Sequence, residues 1–373
     1  MYSLEKTNTL RSRRTAKMAG ASVSVKELRK RYGPVKALDG VTFEVESGEY
    51  FVILGPVGSG RSTLLKCIAG LERPDSGDIL FDGKSVLKLP PEKRMAGYMP
   101  PGYALFPHMT VWENVAYGLW IRGFPRKEVE ERVGEALKLV GLLHRAESYP
   151  HELSGGQRQR VALARALASG ARVLLLDEPL TALDAVLTLE VRREVRRLAK
   201  SLGLTVIHVT HNQEEAMAVA DRVAVMRRGR IEQVGAPEEV YFDPLTPFEA
   251  RFVADANIVP GKLVKVESAY GVAEVEGLGV VKVLHRGLPA GAAVLVAIRP
   301  ESIKVGSGRF RGKILDLSHV GHTLRLWVDV NGLILRADVE PTLGLRSGSE
   351  VTFDLEEPLL AFEYSSWEGE GVG

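Results

Sequence analysis

Leu153-Ser154-Gly155-Gly156-Gln157, followed downstream by Val173-Leu174-Leu175-Leu176-Asp177-Glu178-Pro179, constrains this chain more than any other feature. The first run opens a helix expected over Arg158 to Ala168. Its small residues leave backbone N–H groups bare at a positive helix end, which suits phosphate. The second run is an apolar strand ending in paired carboxylates, Asp177 directed at a magnesium ion and Glu178 a candidate general base. A helix N-cap with a first-turn acid is the plainer reading of that pair. The unbroken apolar strand in front of it, with a phosphate loop elsewhere in the chain, argues against that.

The phosphate loop lies upstream. Glu49 to Leu54 reads as an apolar strand, running into Gly55-Pro56-Val57-Gly58-Ser59-Gly60-Arg61-Ser62-Thr63 and then a helix through Ile68. Glycines let such a loop wrap its N–H groups around phosphate oxygens. Ser62 is placed to offer its hydroxyl to magnesium. The motif expects Lys where this chain has Arg61. Arg keeps the charge but replaces a compact ammonium with a wide planar fork, so slower turnover than in an Arg61→Lys variant is expected.

In this order the three runs resemble the signature motif, the Walker B segment and the phosphate loop of ATP-binding cassette (ABC) ATPases. The resemblance implies a P-loop α/β cassette that binds ATP and Mg2+. It makes Ala182-Leu183-Asp184 the D-loop, which faces a partner subunit. His211, just past a strand expected over Leu204 to Thr210, becomes the γ-phosphate contact, and the following Asn212-Gln213-Glu214-Glu215-Ala216-Met217 also matches. Tyr32 takes the place of the aromatic that stacks on adenine. Outside that frame, Tyr32 reads as a surface residue on an early strand and His211 as a satisfied polar group. The other histidines show no metal-ligand spacing and read as structural or solvated.

One more departure concerns the segment resembling the Q-loop. Tyr103-Ala104-Leu105-Phe106-Pro107-His108-Met109-Thr110-Val111 matches the family, but Pro101 stands where a Gln is expected, behind Pro100. Proline has no polar side chain to reach magnesium or water, and two prolines stiffen the loop. Either coupling between solute arrival and hydrolysis changes, or a water fills in.

The expected mechanism follows from these roles. Ser62, the phosphates and Asp177 hold magnesium, Glu178 orients or deprotonates water, and His211 supports the γ-phosphate. Ser154, Gly155, Gly156 and Gln157 complete the site of the opposite subunit in a head-to-tail pair, taken as a homodimer. The resemblance is to the ATP-binding subunit of an ABC importer, which works beneath a membrane permease, with an extracellular solute-binding protein as an indirect partner. The Tyr103 to Leu119 stretch is then expected near the permease, with Phe106 either a contact or plain core. Tyr50 to Pro56 and Pro90-Pro91-Glu92-Lys93-Arg94 look most like molybdate, tungstate or sulfate importers, so the solute leans to an oxyanion. Polyamine, iron and maltose-type importers stay open. The alternatives are a catalytically slow nucleotide-binding subunit, on account of Arg61 and Pro101, and a non-transport ABC ATPase, for which neither a second cassette nor a coiled-coil insertion is seen.

Composition sets the remaining bounds. The 373 residues are 45% hydrophobic and 26% charged, enough for two or so cores. A net charge of +2 exerts little pull toward nucleic acid. The single cysteine, Cys67, excludes an internal disulfide and is expected to pack inward. Neither an apolar run of spanning length nor a secretory signal is present, which with the resemblance places the chain peripherally on the cytoplasmic face of the membrane. Residues 1–20 are basic and aperiodic and read as a disordered tail, with Met18 a candidate natural start.

The expected organisation is an ABC ATPase domain over 21–236, with a helical subdomain about 98–153 that includes an amphipathic helix from Arg126 to Val140. A helix from Leu189 to Leu202 is expected to expose a basic face of Arg192, Arg193, Arg196, Arg197 and Lys200. Residues 237–260, with Pro244, Pro247 and Pro260, read as a linker. Beyond it, strands at Gly271–Val275, Val280–Leu284, Val294–Ile298, Thr323–Val330, Leu333–Val339 and Glu350–Leu355 predict a small β-barrel over 261–363, then a tail, 364–373. Ile298-Arg299-Pro300-Glu301 resembles a motif of the oligonucleotide-binding-like accessory domain of importer ATPases. That stretch lacks an aromatic stripe with basic interleaving, so nucleic-acid binding is not expected.

Overall fold

The computed structural model describes residues 20–179, 185–321, 323–341 and 344–366, and of 185–191 and 194 the backbone alone. The D-loop segment Ala182-Leu183-Asp184 and the basic arm over residues 1–19 lie outside the described residues. Contacts divide the chain into two compact units, Met1–Pro237 and Glu238–Gly373.

In the first unit β1 (Val23–Tyr32), β2 (Val35–Val45), β3 (Tyr50–Leu54) and α1 (Arg61–Ala69) are followed by β4 (Ser76–Phe81), β5 (Lys84–Ser85) and β6 (Ala96–Met99). Then come α2 (Val111–Ile121), α3 (Arg126–Leu139), α4 (Gly155–Ala168), β7 (Val173–Asp177), α5 (Ala185–Leu202), β8 (Thr205–Thr210), α6 (Gln213–Val219), β9 (Arg222–Arg227) and β10 (Arg230–Gly235). Two sheets result, an antiparallel one in the order β2-β1-β4-β5 and a six-stranded one in the order β10-β9-β3-β8-β7-β6. The second is parallel from β9 to β6. Every residue of β3, β7 and β8 is buried, the mark of strands covered on both faces. That is why these segments read as unbroken apolar runs.

Core packing joins the two sheets around α1. Leu28, Phe43, Phe51, Ile53, Leu64, Leu65, Cys67 and Ile68 belong to one cluster, and the Phe43 and Phe51 rings stack at 5.2 Å. Arg94 is buried and donates to the carbonyls of Cys67 and Ile68, capping the end of α1. In the helical subdomain α2 and α3 both pack on α4. Two of these helices start with reciprocal caps, Thr110 with Glu113 and Ser154 with Gln157. On α5 one expectation is corrected. Arg193, Arg197 and Lys200 are exposed, but Arg192 is buried. Its position falls on the apolar side of α5, with Val195 and Ala199, where a buried Glu215 attracts it.

The second unit begins within α7 (Pro237–Phe242). It runs through α8 (Pro247–Ala254), β11 (Asn257–Glu267), β12 (Tyr270–Val275), β13 (Gly279–Leu284), β14 (Ala293–Ile298) and β15 (Ile303–Val320), and ends with β16 (Thr323–Val330), β17 (Leu333–Val339), β18 (Glu350–Leu355) and β19 (Leu359–Glu363). Strands β11-β12-β13-β19-β14 close into a barrel, and β17-β16-β15-β18 form a second sheet. One core, including Leu263, Val296, Leu326 and Phe353, serves both.

Three strands went unanticipated. Pro260 lies in β11 just ahead of the point where pairing with β12 begins, so the proline disguised the strand as a linker. In β15 the Gly306-Ser307-Gly308 run sits at a register shift, and a Cβ on Gly308 would meet the Phe353 carbonyl at 2.1 Å. The third, β19, is short and follows Pro358. Residues 237–254, read as linker, hold α7 and α8, the latter capped reciprocally by Thr246 and Glu249.

Candidate active site

The site is assembled at the carboxyl ends of the parallel strands, where an open α/β sheet presents its loops. From the end of β3 the chain turns through Gly55 to Gly60 and enters α1. Two glycines are obligatory by contact. A Cβ on Gly55 would lie 2.2 Å from the Met226 carbonyl, and one on Gly60, at φ +106°, 2.2 Å from that of Ala37. At the crest, Val57 is 86% exposed and Gly58 is left-handed.

Arg61 opens α1 and is buried. Its Nη1 donates to the carbonyls of Gly55 and of Pro56, the latter at 2.7 Å, and to Ser59 Oγ at 3.2 Å. Its Nη2 donates to Glu178 Oε1 at 2.7 Å. One prong of the guanidinium closes the loop and the other grips the candidate base. A lysine ammonium has no such second prong.

Asp177, fully buried at the end of β7, accepts from Ser62 Oγ at 2.9 Å and from the Tyr98 hydroxyl at 3.0 Å. Burial first, and then the Asp177 charge, push the Tyr98 phenol above its ordinary value, so it stays a donor. Tyr98 escaped the sequence reading because only the β6–β7 pairing brings it beside Asp177. Glu178 sits in the left-handed region at φ +49°, a conformation costing about 1–2 kcal/mol for a residue with a Cβ. Its N–H donates to the Val209 carbonyl at 3.0 Å, and its Oε2 lies 2.8 Å from His211 Nδ1. His211 is otherwise half exposed.

Arg61, Ser62, Asp177, Glu178 and His211 are thus joined by direct contacts. The Ser62 hydroxyl and the buried Asp177 carboxylate, 2.9 Å apart, are hard oxygens that fit Mg2+, which takes one or two protein oxygens beside phosphate and water. Among the described residues no cluster of three or more His, Cys, Asp or Glu suited to a metal occurs. The remaining sequence-derived residues take other partners. Tyr32, at the end of β1, is 46% exposed with Lys30 Nζ 5.2 Å from its ring centroid. Ser154 accepts from the Gln157 N–H at 3.3 Å and donates its own N–H to Gln157 Oε1 at 3.0 Å.

Downstream of β6, the Tyr103 to Thr110 segment is braced by side chains whose role is not legible in the sequence. Asn114, fully buried on α2, accepts from the Phe106 N–H at 2.8 Å and donates to the carbonyls of Phe106, Met109 and Thr110. Arg165 of α4 donates to the carbonyls of Tyr103 at 3.1 Å and Ala104 at 3.0 Å, both residues left-handed. Phe106 is half-buried, its ring 4.5 Å from that of Tyr117.

A strand–glycine loop–helix unit whose serine meets the buried aspartate at the end of the next strand but one in the same parallel sheet defines a P-loop nucleoside triphosphatase. The ABC transporter family model matches residues 38–181, and the TOBE domain model residues 296–360. A Thermotoga maritima protein, "Spermidine/putrescine import ATP-binding protein PotA", is 40% identical over 93% of this chain and 95% of its own length. The Brucella abortus "Fe(3+) ions import ATP-binding protein FbpC" is 42% identical over 89% of this chain and 95% of its own. Among solved structures, a dimeric ATP-binding cassette in a post-hydrolysis state bound to ADP and Pi matches with a TM-score of 0.53 at 31% identity, covering 58% of this chain and 98% of that one. The cbiO1 protein of Clostridium perfringens, part of the cbiONQ transporter complex, matches with a TM-score of 0.54 at 33% identity, covering 60% and 92%. This chain belongs to the ATP-binding subunits of ABC importers and is an ATPase coupled to solute transport.

Proposed function

We propose that two copies of this chain close on MgATP, hydrolyse it and drive import of a small cationic solute through a partner permease. The observation that carries the catalytic part is Glu178 held between Arg61 and His211, next to the Ser62–Asp177 pair. In this reading the loop from Gly55 to Thr63, with Val57, Gly58 and Ser59 at its crest, wraps the phosphates. Ser62 and Asp177 hold Mg2+, which when bound neutralises charge on the phosphate oxygens. Glu178 orients the attacking water and takes its proton. His211 fixes Glu178 and reaches the γ-phosphate. Tyr32 stacks on adenine, and Ser154, Gly155, Gly156 and Gln157 meet the nucleotide of the opposite copy, with Asp184 at the seam. Phosphoryl transfer depends mostly on placement and charge, so each of these groups acts through position.

The named relatives handle polyamines and ferric iron, and an oxyanion gains no support from them. For this chain we favour a polycation or metal cation as solute, delivered by an extracellular solute-binding protein. Among the described residues no helix is long and apolar enough to cross a membrane. The braced Tyr103 to Thr110 segment is placed as the permease contact, on the cytoplasmic side. Vesicles carrying the permease and this chain, charged with ATP and supplied outside with the solute-binding protein, should take up spermidine or ferric iron but not sulfate or molybdate. Uptake of the anions alone would overturn the solute assignment. A Glu178→Gln chain that stays monomeric with saturating ATP would overturn the sandwich.

The Arg61–Glu178 pair favours a second reading, slow basal turnover. The base is already engaged by a cation that ATP must draw away.

A further inference from the structure

Behind His211 lies a buried polar chain that the catalytic assignment leaves unused. Thr210, fully buried, is the last residue of β8. Its hydroxyl donates to Glu215 Oε2 at 2.6 Å and accepts from the Asn212 N–H at 3.1 Å. Asn212 Oδ1 in turn accepts from the Glu215 N–H at 2.8 Å, capping α6. Glu215 therefore holds the residues on both sides of His211, one through its side chain and one through its backbone.

The carboxylate is 2% exposed, and a buried charge is retained only where partners compensate it. Its other oxygen, Oε1, lies 3.3 Å from His208 Nε2, off the line of a hydrogen bond. His208 Nδ1 is 3.2 Å from the hydroxyl of Tyr50, which opens β3. Burial opposes ionisation of Glu215, yet His208, Thr210 and the buried Arg192 of α5 outweigh it and hold the carboxyl below its usual range. The chain thus bonds Glu215 of α6 to the end of β8, just ahead of His211, while His208 of β8 reaches Tyr50 at the start of the strand entering the phosphate loop.

We propose that Glu215 is a positioning residue for ATP hydrolysis, fixing through Thr210 and Asn212 the direction in which His211 leaves β8 toward Glu178. The proposal rests on the reading of His211 as the γ-phosphate contact. A misplacement of about 1 Å in such a group costs on the order of 100-fold in rate.

The test is a double-mutant cycle on the full chain with MgATP, measuring kcat, KM and thermal midpoint. Glu215→Gln is expected to lower kcat about 10- to 100-fold with KM for ATP nearly unchanged. In a His211→Ala background the same substitution should lower kcat no further, because Glu215 acts only through His211. Thr210→Val should reproduce the loss and Thr210→Ser should restore it, which keeps the test open if Glu215→Gln does not fold. A lowered midpoint with kcat intact in Glu215→Gln and Thr210→Val would overturn the proposal. So would an equal loss from Glu215→Gln with and without His211. If His211→Ala alone leaves kcat intact, the reading of His211 fails first, and the Glu215 role falls with it.

Discussion

The two units use opposite kinds of sheet, and the contrast explains where the chemistry sits. The six-stranded sheet is parallel from β9 to β6, so several strands end on the same side and deliver Gly55, Glu178 and His211 to one place. The second unit closes an antiparallel-dominated barrel whose inward positions are apolar. Strands that alternate direction send their ends to both rims, and the linked charges described there, such as Arg325 with Asp338 and Asp255, lie away from any glycine-rich phosphate loop. Polar contacts in the second unit serve architecture instead, as in the Arg325–Asp338 pair with both bonds at 2.8 Å.

Substitutions can break that division. Glu178→Gln is expected to produce the largest effect, a loss of hydrolysis on the order of 100- to 10,000-fold with ATP binding retained. Steady-state phosphate release alongside nucleotide binding checks it, and hydrolysis near the wild-type rate would remove Glu178 from the mechanism. In the other unit, Phe353→Ala empties a buried site stacked on Phe310 and should cost about 3–5 kcal/mol of stability. Its folded fraction should still hydrolyse ATP at the wild-type rate, and a specific activity falling with stability would erase the contrast. Arg61→Lys is expected to raise turnover about tenfold, roughly 1.4 kcal/mol, by freeing Glu178 from the second prong. Turnover equal to or below wild type would show that the pair does not restrain the base.

Acid should weaken the first unit by a smaller amount. Burial opposes ionisation of Asp221 and Glu215, but Lys200 and Arg196 hold Asp221, and His208, Thr210 and Arg192 hold Glu215, below the ordinary carboxylate range. Both bind protons more weakly folded than unfolded. Their stabilisation is complete above about pH 5 and disappears as the pH falls through their lower folded values. Asp221→Asn should flatten the fall of the denaturation midpoint over that window, and an unchanged slope would contradict the assignment. The smallest expected signal is Cys67. Burial pushes its thiol up to about 12, so a thiol reagent should leave it unlabelled near pH 8 until the chain unfolds.

The same division governs what could be read from the residues alone. Continuous apolar runs at Tyr50–Leu54 and Val173–Asp177 announced central parallel strands, since burial on both faces leaves nothing else to encode. Strands of the second unit alternate and turn, so Thr323–Val330 was plain, while Pro260 and Gly306 broke the pattern inside true strands. At the site, Asp177, Glu178 and His211 could be singled out as candidates from local sequence. Tyr98, Asn114 and Arg165 did not, because each acts on a segment remote in the chain or through backbone atoms. Arg192 misled for the related reason that its buried partner network becomes visible only once β8 and α6 are placed beside α5.

The barrel is sealed by its latest strand. Residues 359–363 slot between β13 and β14, parallel to one and antiparallel to the other. A ribosome making this chain releases every strand of the nucleotide-binding unit before that seal emerges. Until then β13 and β14 present bare edges, and neighbouring nascent chains find there the template for pairing that the finished molecule hides.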